Sequence, residues 1–182
     1  MPRLRQFIVD DQDNVLGPNE EGEILLSGPN LMKGYYKLPE LTNESIVYLT
    51  PPGEDAPVRC FRTGDMGRID EEGYLYITGR KKEMLIIGGE NVFPREIEEV
   101  LNHHPSVHAS AVIGQPDSMR GEVPIAFIEQ EAGHEFDAGA LRGYCREHLA
   151  GYKVPREIHV VETLPRGATG KILRRKLQAT SE

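Results

Sequence analysis

Cysteine is scarce in this sequence: Cys60 and Cys145 are the only two among 182 residues. Two isolated cysteines are too few for a disulfide framework or a zinc site, which argues against a small disulfide-bonded secreted domain. The acidic segment 10–14 lacks the turn glycine and the closing glutamate of a calcium loop. We therefore expect a reduced, cytoplasmic protein without a metal site of its own.

Long apolar segments are absent as well. The mean hydropathy of −0.44 and the shortness of the apolar runs exclude a membrane-spanning helix. The residues after Met1 include no apolar segment long enough for a signal peptide. Hydrophobic residues still make up 38% of the chain, which is enough to bury the core of one ordinary domain or of two small ones.

Positive charge is in the minority, because 21 lysines and arginines face 29 aspartates and glutamates, for a net charge of −8. This balance argues against a general nucleic-acid-binding protein, since binding to phosphate backbones requires an excess of basic residues. The segment 171–176 is basic, but only locally. We expect no nucleic-acid partner.

The segment 74–98 has the features of a junction between two units. Residues 74–78 are rich in aromatic and β-branched side chains, as in a strand, and they lead into a turn with three consecutive cations. A second apolar run at 84–87 ends at Gly88-Gly89. Pro94 then stands where a helix would begin, because proline needs no amide partner in the first turn, and apolar residues at helical spacing follow it.

Residues 1–80 predict a small β-rich subdomain. Apolar segments at 3–10 and 22–28 are typical of strands. The segment 66–69 is predicted to pair with 74–77 across a short polar turn.

Residues 81–182 predict a domain with a small, mainly antiparallel sheet flanked by helices. A helix is predicted where apolar residues share one face of 141–149, and a last short helix is expected at 172–177. Strands are expected at 107–113, 125–129 and 158–161. The fold class of the whole chain is therefore expected to be α+β.

Two residues attract functional hypotheses on their own. Lys171 follows a glycine-containing loop, but two residues rather than four separate Gly167 from Gly170, which is the wrong spacing for a phosphate-binding loop. Asp65 follows Thr-Gly and can accept two hydrogen bonds from a diol such as a ribose. By spacing alone, a solvated surface lysine and a turn-forming aspartate remain the simpler interpretations.

Five motifs change this assessment, because they occur in one order and cover nearly the whole chain. The motifs are GEILLSGPNLMKGYYKLPELT at 22–42, RTGD at 62–65, GRKKE at 79–83, GENVFPREIE at 89–98 and PRGATGKILRRKL at 165–177. Together they resemble the adenylate-forming acyl-CoA synthetase family, which includes luciferases and peptide-synthetase adenylation domains.

The resemblance implies a division of the chain into two parts of such an enzyme. Residues 1–80 match the last β subdomain of the large adenylation domain, and residues 81–182 match the mobile C-terminal domain. Members of the family are much longer, and their ATP loop, adenine-binding segment and acyl pocket precede this region. We therefore expect a C-terminal fragment that is inactive alone and whose partner is the missing N-terminal adenylation domain.

The resemblance also implies roles for single residues. Asp65 matches the aspartate that binds the ribose hydroxyls of ATP and of the acyl adenylate, and Arg80 matches an arginine that contacts the nucleotide. Lys82 falls at the hinge, where many members have aspartate and a subset has lysine. Lys171 matches the lysine required for the first half-reaction, in which ATP activates the acid as an acyl adenylate. Gly88-Gly89 matches the loop that lines the pantetheine tunnel in the second half-reaction, in which the acyl group passes to CoA.

The implied activity is the AMP-forming ligation of a carboxylic acid to CoA. ATP, the acid and CoA are the expected small-molecule partners, and Mg²⁺ is expected to be held together with the missing large domain. The segment 90–94 and Lys82 are most similar to fatty-acyl and aryl-CoA ligases, so a fatty acid is the leading substrate. Two alternatives remain: an adenylating domain that passes its acyl group to a carrier protein, and a non-catalytic binding module.

Overall fold

The computed structural model describes residues 4–178, which divide between Lys82 and Glu83 into two units, each with its own sheet and core. The prediction from the sequence places the boundary two residues earlier, between 80 and 81.

The first unit is a five-stranded antiparallel sheet built around one long strand. Its strands are β1 (Arg5–Val9), β2 (Gly22–Ser27), β3 (Ile46–Leu49), β4 (Val58–Ile69) and β5 (Leu75–Arg80), and a short helix, α1 (Pro39–Ser45), precedes β3. The long strand β4 pairs with β2 along one edge, and with β3 and then β5 along the other. The strand β1 pairs with the remaining edge of β2.

The main apolar cluster of this unit lies on one face of the sheet, because alternate residues of a strand turn to the same face. The buried cluster consists of Phe7, Val9, Leu25, Leu49 and Cys60. Residues of the opposite face are buried as well, among them Ile8 and Ile24, each 2% exposed. Burial of each of the larger side chains stabilises the folded state by about 1.5–3 kcal/mol.

The predicted hairpin of residues 66–69 and 74–77 is confirmed. Arg68 pairs with Tyr76 in the register of β4 and β5. Asp70 closes the turn between these strands, because its carboxylate accepts hydrogen bonds from the amides of Tyr74 and Glu72 at 2.8 and 3.0 Å. The hydrogen bond from the amide of Tyr74 is the main reason why the pKa of Asp70 is lowered.

The predicted cationic turn is shorter than expected. Gly79 and Arg80 continue β5 instead of leaving it, because Arg80 pairs with Asp65 and Gly79 with Met66 across the sheet. Only a three-residue 3₁₀ helix, Lys81–Glu83, and Met84 separate β5 from the next strand.

The second unit is an α+β domain with a five-stranded, mainly antiparallel sheet. Its elements are β6 (Leu85–Ile87), β7 (Glu90–Val92), α2 (Pro94–Asn102), β8 (Val107–Asp117), β9 (Gly121–Gln130), α3 (Ala138–His148), β10 (Glu157–Val161) and α4 (Arg174–Gln178). The strand β8 runs antiparallel along one edge of β9. The other edge of β9 pairs with β10, in parallel, and with the end of β6, which in turn pairs with β7. The predicted α+β class and mainly antiparallel sheet are confirmed.

Alternate residues of β8 and β9 turn to opposite faces of this sheet, as the two-residue period of a strand requires. One face packs against α2 and α3, and the other packs against the segment that ends with α4. The first cluster includes Val112, Ile128, Ile97, Leu101, Leu141 and Cys145. The second includes Ile113, Ile125, Phe127, Leu164 and Leu177.

Helix α2 begins at Pro94, as predicted, and α4 begins later than predicted. The backbone of Ile172 forms a β-bridge with Arg166 instead of entering the helix. The strand β9 also begins earlier than predicted, at Gly121, because it pairs with β8 almost to the end of that strand. Among the described residues, no helix is long and apolar enough to cross a membrane.

Candidate functional site

Asp65 and Arg80 lie opposite each other on β4 and β5. Nε of Arg80 is 2.7 Å from Oδ1 of Asp65, and 56% of the arginine side chain is exposed. The structure therefore brings together the two residues for which the sequence predicts nucleotide contacts. An oriented carboxylate beside an accessible guanidinium can accept hydrogen bonds from a diol and contact a phosphate or base at the same place.

Thr63 fixes the backbone that presents Asp65. Its hydroxyl donates to the carbonyl oxygen of Ile24 at 2.8 Å and accepts the amide hydrogen of Asp65 at 3.0 Å. Gly64, between them, has a φ of +70°, a conformation that is easy only for glycine. The Thr-Gly-Asp sequence thus lies in β4 where its pairing with β2 shifts register, and its hydrogen bonds to β2 and within the segment position the carboxylate.

A second charged cluster joins β2, β4 and the residue that follows β5. Glu23, whose side chain is only 7% exposed, binds Nη1 of Arg62 at 3.0 Å and Nζ of Lys81 at 3.2 Å. Arg62 also pairs with Asp13, and Nζ of Lys81 lies 2.9 Å from Oδ1 of Asp11. The hydrogen bond to Asp11 is the main reason why the pKa of Lys81 is raised.

Lys82 is the last residue of the first unit and lies in the 3₁₀ helix between β5 and β6. Its side chain is exposed. Within residues 4–178 it forms no ion pair. The predicted hinge residue is thus located where one unit ends, and its role as a pivot stays a prediction.

Gly88 and Gly89 form the tip of the hairpin between β6 and β7. Their φ angles are +63° and +90°, and a Cβ atom built on either would have no other atom of residues 4–178 within 4 Å. The amide of Gly88 donates to the carbonyl oxygen of Arg120 at 2.8 Å, which ties the tip to the start of β9. The two glycines are therefore exposed, conformationally restricted and free of steric neighbours on their Cα side.

A cavity next to this hairpin leads to a wider groove that the sequence did not predict. The cavity, of about 410 Å³, is lined by Ile87, Gly88, Glu90, Arg120, Gly151 and Tyr152. A groove of about 670 Å³ shares Arg120, Gly151 and Tyr152 with it and adds the guanidinium groups of Arg142, Arg146 and Arg156.

Three of these arginines carry uncompensated charge. Arg156 pairs with Asp117, but Arg120, Arg142 and Arg146 form no ion pair with any other described residue. Arg142 and Arg146 are four residues apart on α3, so they lie on the same side of the helix. That spacing was the available signal in the sequence. The arginine groove, defined by Arg120, Arg142, Arg146 and Arg156, can bind anions such as phosphate groups.

Lys171 closes a tight turn between β10 and α4. The amide of Gly167 donates to its carbonyl oxygen at 2.8 Å, and the lysine itself is exposed. Glu129 on β9 holds the start of this loop, since its carboxylate accepts the amide hydrogen of Leu164 at 2.7 Å and lies 3.4 Å from Nη2 of Arg166. An exposed lysine is therefore presented on a firmly attached loop.

Lys171 and Gly88-Gly89 are carried by different elements of the second unit. Lys171 does not line the cavity at Gly88, and no hydrogen bond joins the two places within the described residues. The structure pairs Asp65 with Arg80, but it does not join Lys171 to the hairpin. Across residues 4–178 no group of three or more potential metal ligands occurs.

Comparison with known proteins places this geometry in a family. Residues 96–171 match the family model described as the AMP-binding enzyme C-terminal domain. The chain is 45% identical over 161 residues to the 2-succinylbenzoate–CoA ligase of Geobacillus kaustophilus, covering 88% of this chain and 31% of that protein. It is 39% identical over 178 residues to the long-chain-fatty-acid–CoA ligase of Salmonella typhimurium, covering 98% of this chain and 30% of that protein.

A solved structure agrees with these matches. The o-succinylbenzoate CoA synthetase of Bacillus subtilis, in complex with its acyl-adenylate intermediate, superimposes with a TM-score of 0.84 at 37% identity, covering 96% of this chain and 34% of that one. The chain thus spans about a third of the length of the curated relatives it matches. From the C-terminal-domain match and these relatives we conclude that the chain belongs to the adenylate-forming acyl-CoA synthetase family.

Proposed function

We propose that this chain is the C-terminal part of an AMP-forming acid–CoA ligase and serves both half-reactions of that enzyme. Residues 1–80 complete the nucleotide site of a large adenylation domain, and residues 81–182 are the mobile domain. The observation that carries the proposal is that an exposed lysine turn and an exposed glycine hairpin lie on different elements of the second unit, which begins directly after Lys82.

In the first half-reaction a carboxylate oxygen of the acid attacks the α-phosphorus of ATP. The bond from that phosphorus to the bridging oxygen breaks, and pyrophosphate leaves. Negative charge builds on the phosphoryl oxygens, and a cation stabilises it without transferring a proton. We assign this cation to Lys171, while Asp65 and Arg80 hold the ribose and contact the nucleotide.

In the second half-reaction the sulfur of CoA attacks the carbonyl carbon of the acyl adenylate. The carbon–sulfur bond forms, the bond from carbon to the phosphate oxygen breaks, and AMP leaves. Gly88 and Gly89 have no Cβ atoms, so the thin pantetheine arm can pass close to the backbone there. The arginine groove next to the hairpin supports CoA as the acceptor, because CoA carries phosphate groups.

A change in the backbone torsions of Lys82 rotates the second unit, so that Lys171 faces the nucleotide in the first half-reaction and Gly88-Gly89 faces it in the second. Domain movement of this kind lets one site carry out two reactions in turn. The exposed position of Lys82 between the two units supports its role as the pivot.

The carboxylic acid that the whole enzyme uses is proposed from the named relatives. The named relatives act on 2-succinylbenzoate and on long-chain fatty acids, so the family match does not single out a fatty acid. We propose a long-chain or aryl carboxylic acid. The similarity over 98% of the chain to the Salmonella typhimurium ligase supports the former, and the 45% identity to the Geobacillus kaustophilus ligase supports the latter.

A fusion enzyme tests the proposal. The upstream part of the Geobacillus kaustophilus ligase, up to the residue that aligns with the start of this chain, is joined to the whole chain. We expect the fusion to form succinylbenzoyl-CoA from ATP, acid and CoA at least about a hundredfold faster than the upstream part alone. A fusion that folds and binds ATP, but makes neither adenylate nor thioester, contradicts the proposal.

The acceptor is tested with the same fusion. Pantetheine has the thiol of CoA but lacks its nucleotide, so it cannot use the arginine groove. We expect Arg146→Ala to raise the KM for CoA about tenfold or more and to leave that for pantetheine unchanged. Equal use of CoA and pantetheine by the unchanged fusion would favour a carrier protein as the acceptor.

A further inference from the structure

The residue on the first-unit side of Lys82 is held by its own unit. The ammonium group of Lys81 binds the carboxylates of Asp11 at 2.9 Å and Glu23 at 3.2 Å. Glu23 is almost fully buried and also binds Arg62 at 3.0 Å. A buried carboxylate shared by two cations is costly to release, because separation would leave an uncompensated charge. The side chain of Lys81 is therefore anchored to the first sheet.

The residue on the other side of Lys82 is held by the second unit. Nη1 of Arg174 lies 2.8 Å from Oε2 of Glu83. The same guanidinium group binds both carboxylate oxygens of Glu98 through Nη2, at 2.9 and 2.8 Å. Glu98 also accepts the amide hydrogen of Val112 at 2.8 Å. This two-pronged contact fixes the plane of the guanidinium group, so Glu83 is anchored to α2 and β8 through Arg174.

We propose that these two ion-pair clamps confine the pivot to the backbone torsions of Lys82. The first clamp is Lys81 with Asp11 and Glu23, and the second is Glu83 with Arg174. Glu23 and Arg174 are positioning residues, since they act through Lys81 and Glu83. The inference rests on the proposed function for the existence of a pivot, and it adds the limits of that pivot and the residues that set them.

The physical advantage is a small number of domain orientations. Each residue freed from its unit adds two soft torsions, φ and ψ, and each ordered residue loses conformational entropy. A joint of one residue has two soft torsions, whereas a joint of three has six. Clamping both neighbours therefore makes the alternation between two catalytic orientations more selective.

Backbone order parameters from ¹⁵N relaxation of the 182-residue chain test the clamps without any enzyme assay. In the unchanged chain we expect values of about 0.85 at Lys81 and Glu83 and below about 0.6 at Lys82. Lys81→Met should lower the value at residue 81 alone to below about 0.6, and Arg174→Met should do so at Glu83 alone. Arg95→Met, which removes an exposed ion pair with Glu99 elsewhere in the second unit, is the control and should change neither.

Low order parameters at all of residues 81–83 in the unchanged chain, or a high order parameter at Lys82, overturn the proposal. So do order parameters that remain the same in Lys81→Met and Arg174→Met as in the unchanged chain. If Arg174→Met does not fold, Glu83→Gln removes the same clamp and gives the same readout. Because these measurements need no catalysis, failure of the clamps leaves the fusion result intact, and an inactive fusion leaves the order parameters intact.

Discussion

Asp65 and Arg80 are directly paired across the antiparallel strands β4 and β5, with Nε of the arginine 2.7 Å from Oδ1 of the aspartate. The side chain of Asp65 is 26% exposed, so the guanidinium group orients a carboxylate that a ligand can still reach. This arrangement suits an aspartate that accepts hydrogen bonds from the hydroxyls of a ribose.

Asp65→Asn in the fusion enzyme should weaken the binding of ATP. The amide accepts hydrogen bonds less strongly than the charged carboxylate and no longer pairs with Arg80. We expect the KM for ATP to rise about tenfold to a hundredfold, as for the loss of hydrogen bonds to a charged group. Asp70→Asn is the control, since Asp70 only closes the turn between β4 and β5. An unchanged KM in Asp65→Asn would remove the assignment.

Gly89→Ala should slow thioester formation and leave adenylation unchanged. A Cβ atom at residue 89 would have no other atom of the described residues within 4 Å, so the substitution obstructs only a ligand that passes the hairpin. The positive φ of +90° makes alanine unfavourable there by about 1–2 kcal/mol. Rapid mixing of the acyl adenylate with CoA measures the step.

Gly133→Ala is the matched control for this backbone cost. Gly133 has a φ of +81°, and in the described part of the chain a Cβ atom there also meets nothing within 4 Å. Gly133 lies in the turn after β9, away from the hairpin. If Gly133→Ala slows thioester formation as much as Gly89→Ala does, the effect is one of stability and the assignment of the pantetheine path is wrong.

Lys82→Pro should block thioester formation and spare adenylation. Proline fixes φ near −65° and restricts the residue before it, so the joint can no longer change its torsions. Lys82→Ala is the matched control, because alanine keeps both torsions free, and it should support both half-reactions. Single-turnover measurements of adenylate and thioester separate the two steps. Normal overall turnover in Lys82→Pro would rule out the pivot.

Much of the fold could be predicted from local patterns. The alternation in β8, the proline at the start of α2 and the turn between β4 and β5 are each encoded within a few residues. The strands β3 and β7 were not predicted, because at four and three residues they are too short for alternation to be evident. Arg80 was expected in a turn because three cations in sequence indicate solvation. It belongs to a strand because its partner, Asp65, is distant in sequence.

The candidate site shows the same division. Lys171, Gly88 and Gly89 were proposed from the sequence because each belongs to a motif of adjacent residues, and their roles stay predictions. The arginine groove could not, since Arg120, Arg142 and Arg156 come from three separate elements that meet only in the folded unit. The pairing of Glu83 with Arg174 likewise joins residues separated by 91 positions. Only the packing of the sheet against α2 and the segment that ends with α4 determines such contacts.

Cys145 predicts how the stability of the second unit depends on alkaline pH. Burial raises the pKa of its thiol to about 11, compared with about 8.5 in an unfolded chain. The protonated, buried thiol contributes fully to the free energy of unfolding below about pH 8.5, because the folded and unfolded states then both hold the proton. This contribution is lost as pH rises toward 11, because only the unfolded state ionises in that range, and the slope is about 1.4 kcal/mol per pH unit.

Denaturant unfolding at several pH values checks this prediction. We expect the free energy of unfolding to fall less steeply with pH, between about 8.5 and 11, in Cys145→Ala than in the unchanged chain. The readout is the difference in slope, since loss of the buried sulfur also lowers stability at every pH. Identical slopes would mean that the thiol ionises equally in both states.

The most direct test of the central claim is Lys171→Ala in the fusion enzyme, with the two half-reactions measured separately. The account predicts a loss of at least about a hundredfold in adenylate formation, because an electrostatic stabiliser of the transition state is removed. It predicts an unchanged rate of thioester formation from a supplied acyl adenylate. Arg175→Ala, a neighbouring exposed cation, should affect neither step. Equal losses in both half-reactions of Lys171→Ala would contradict the division of labour between the lysine turn and the glycine hairpin.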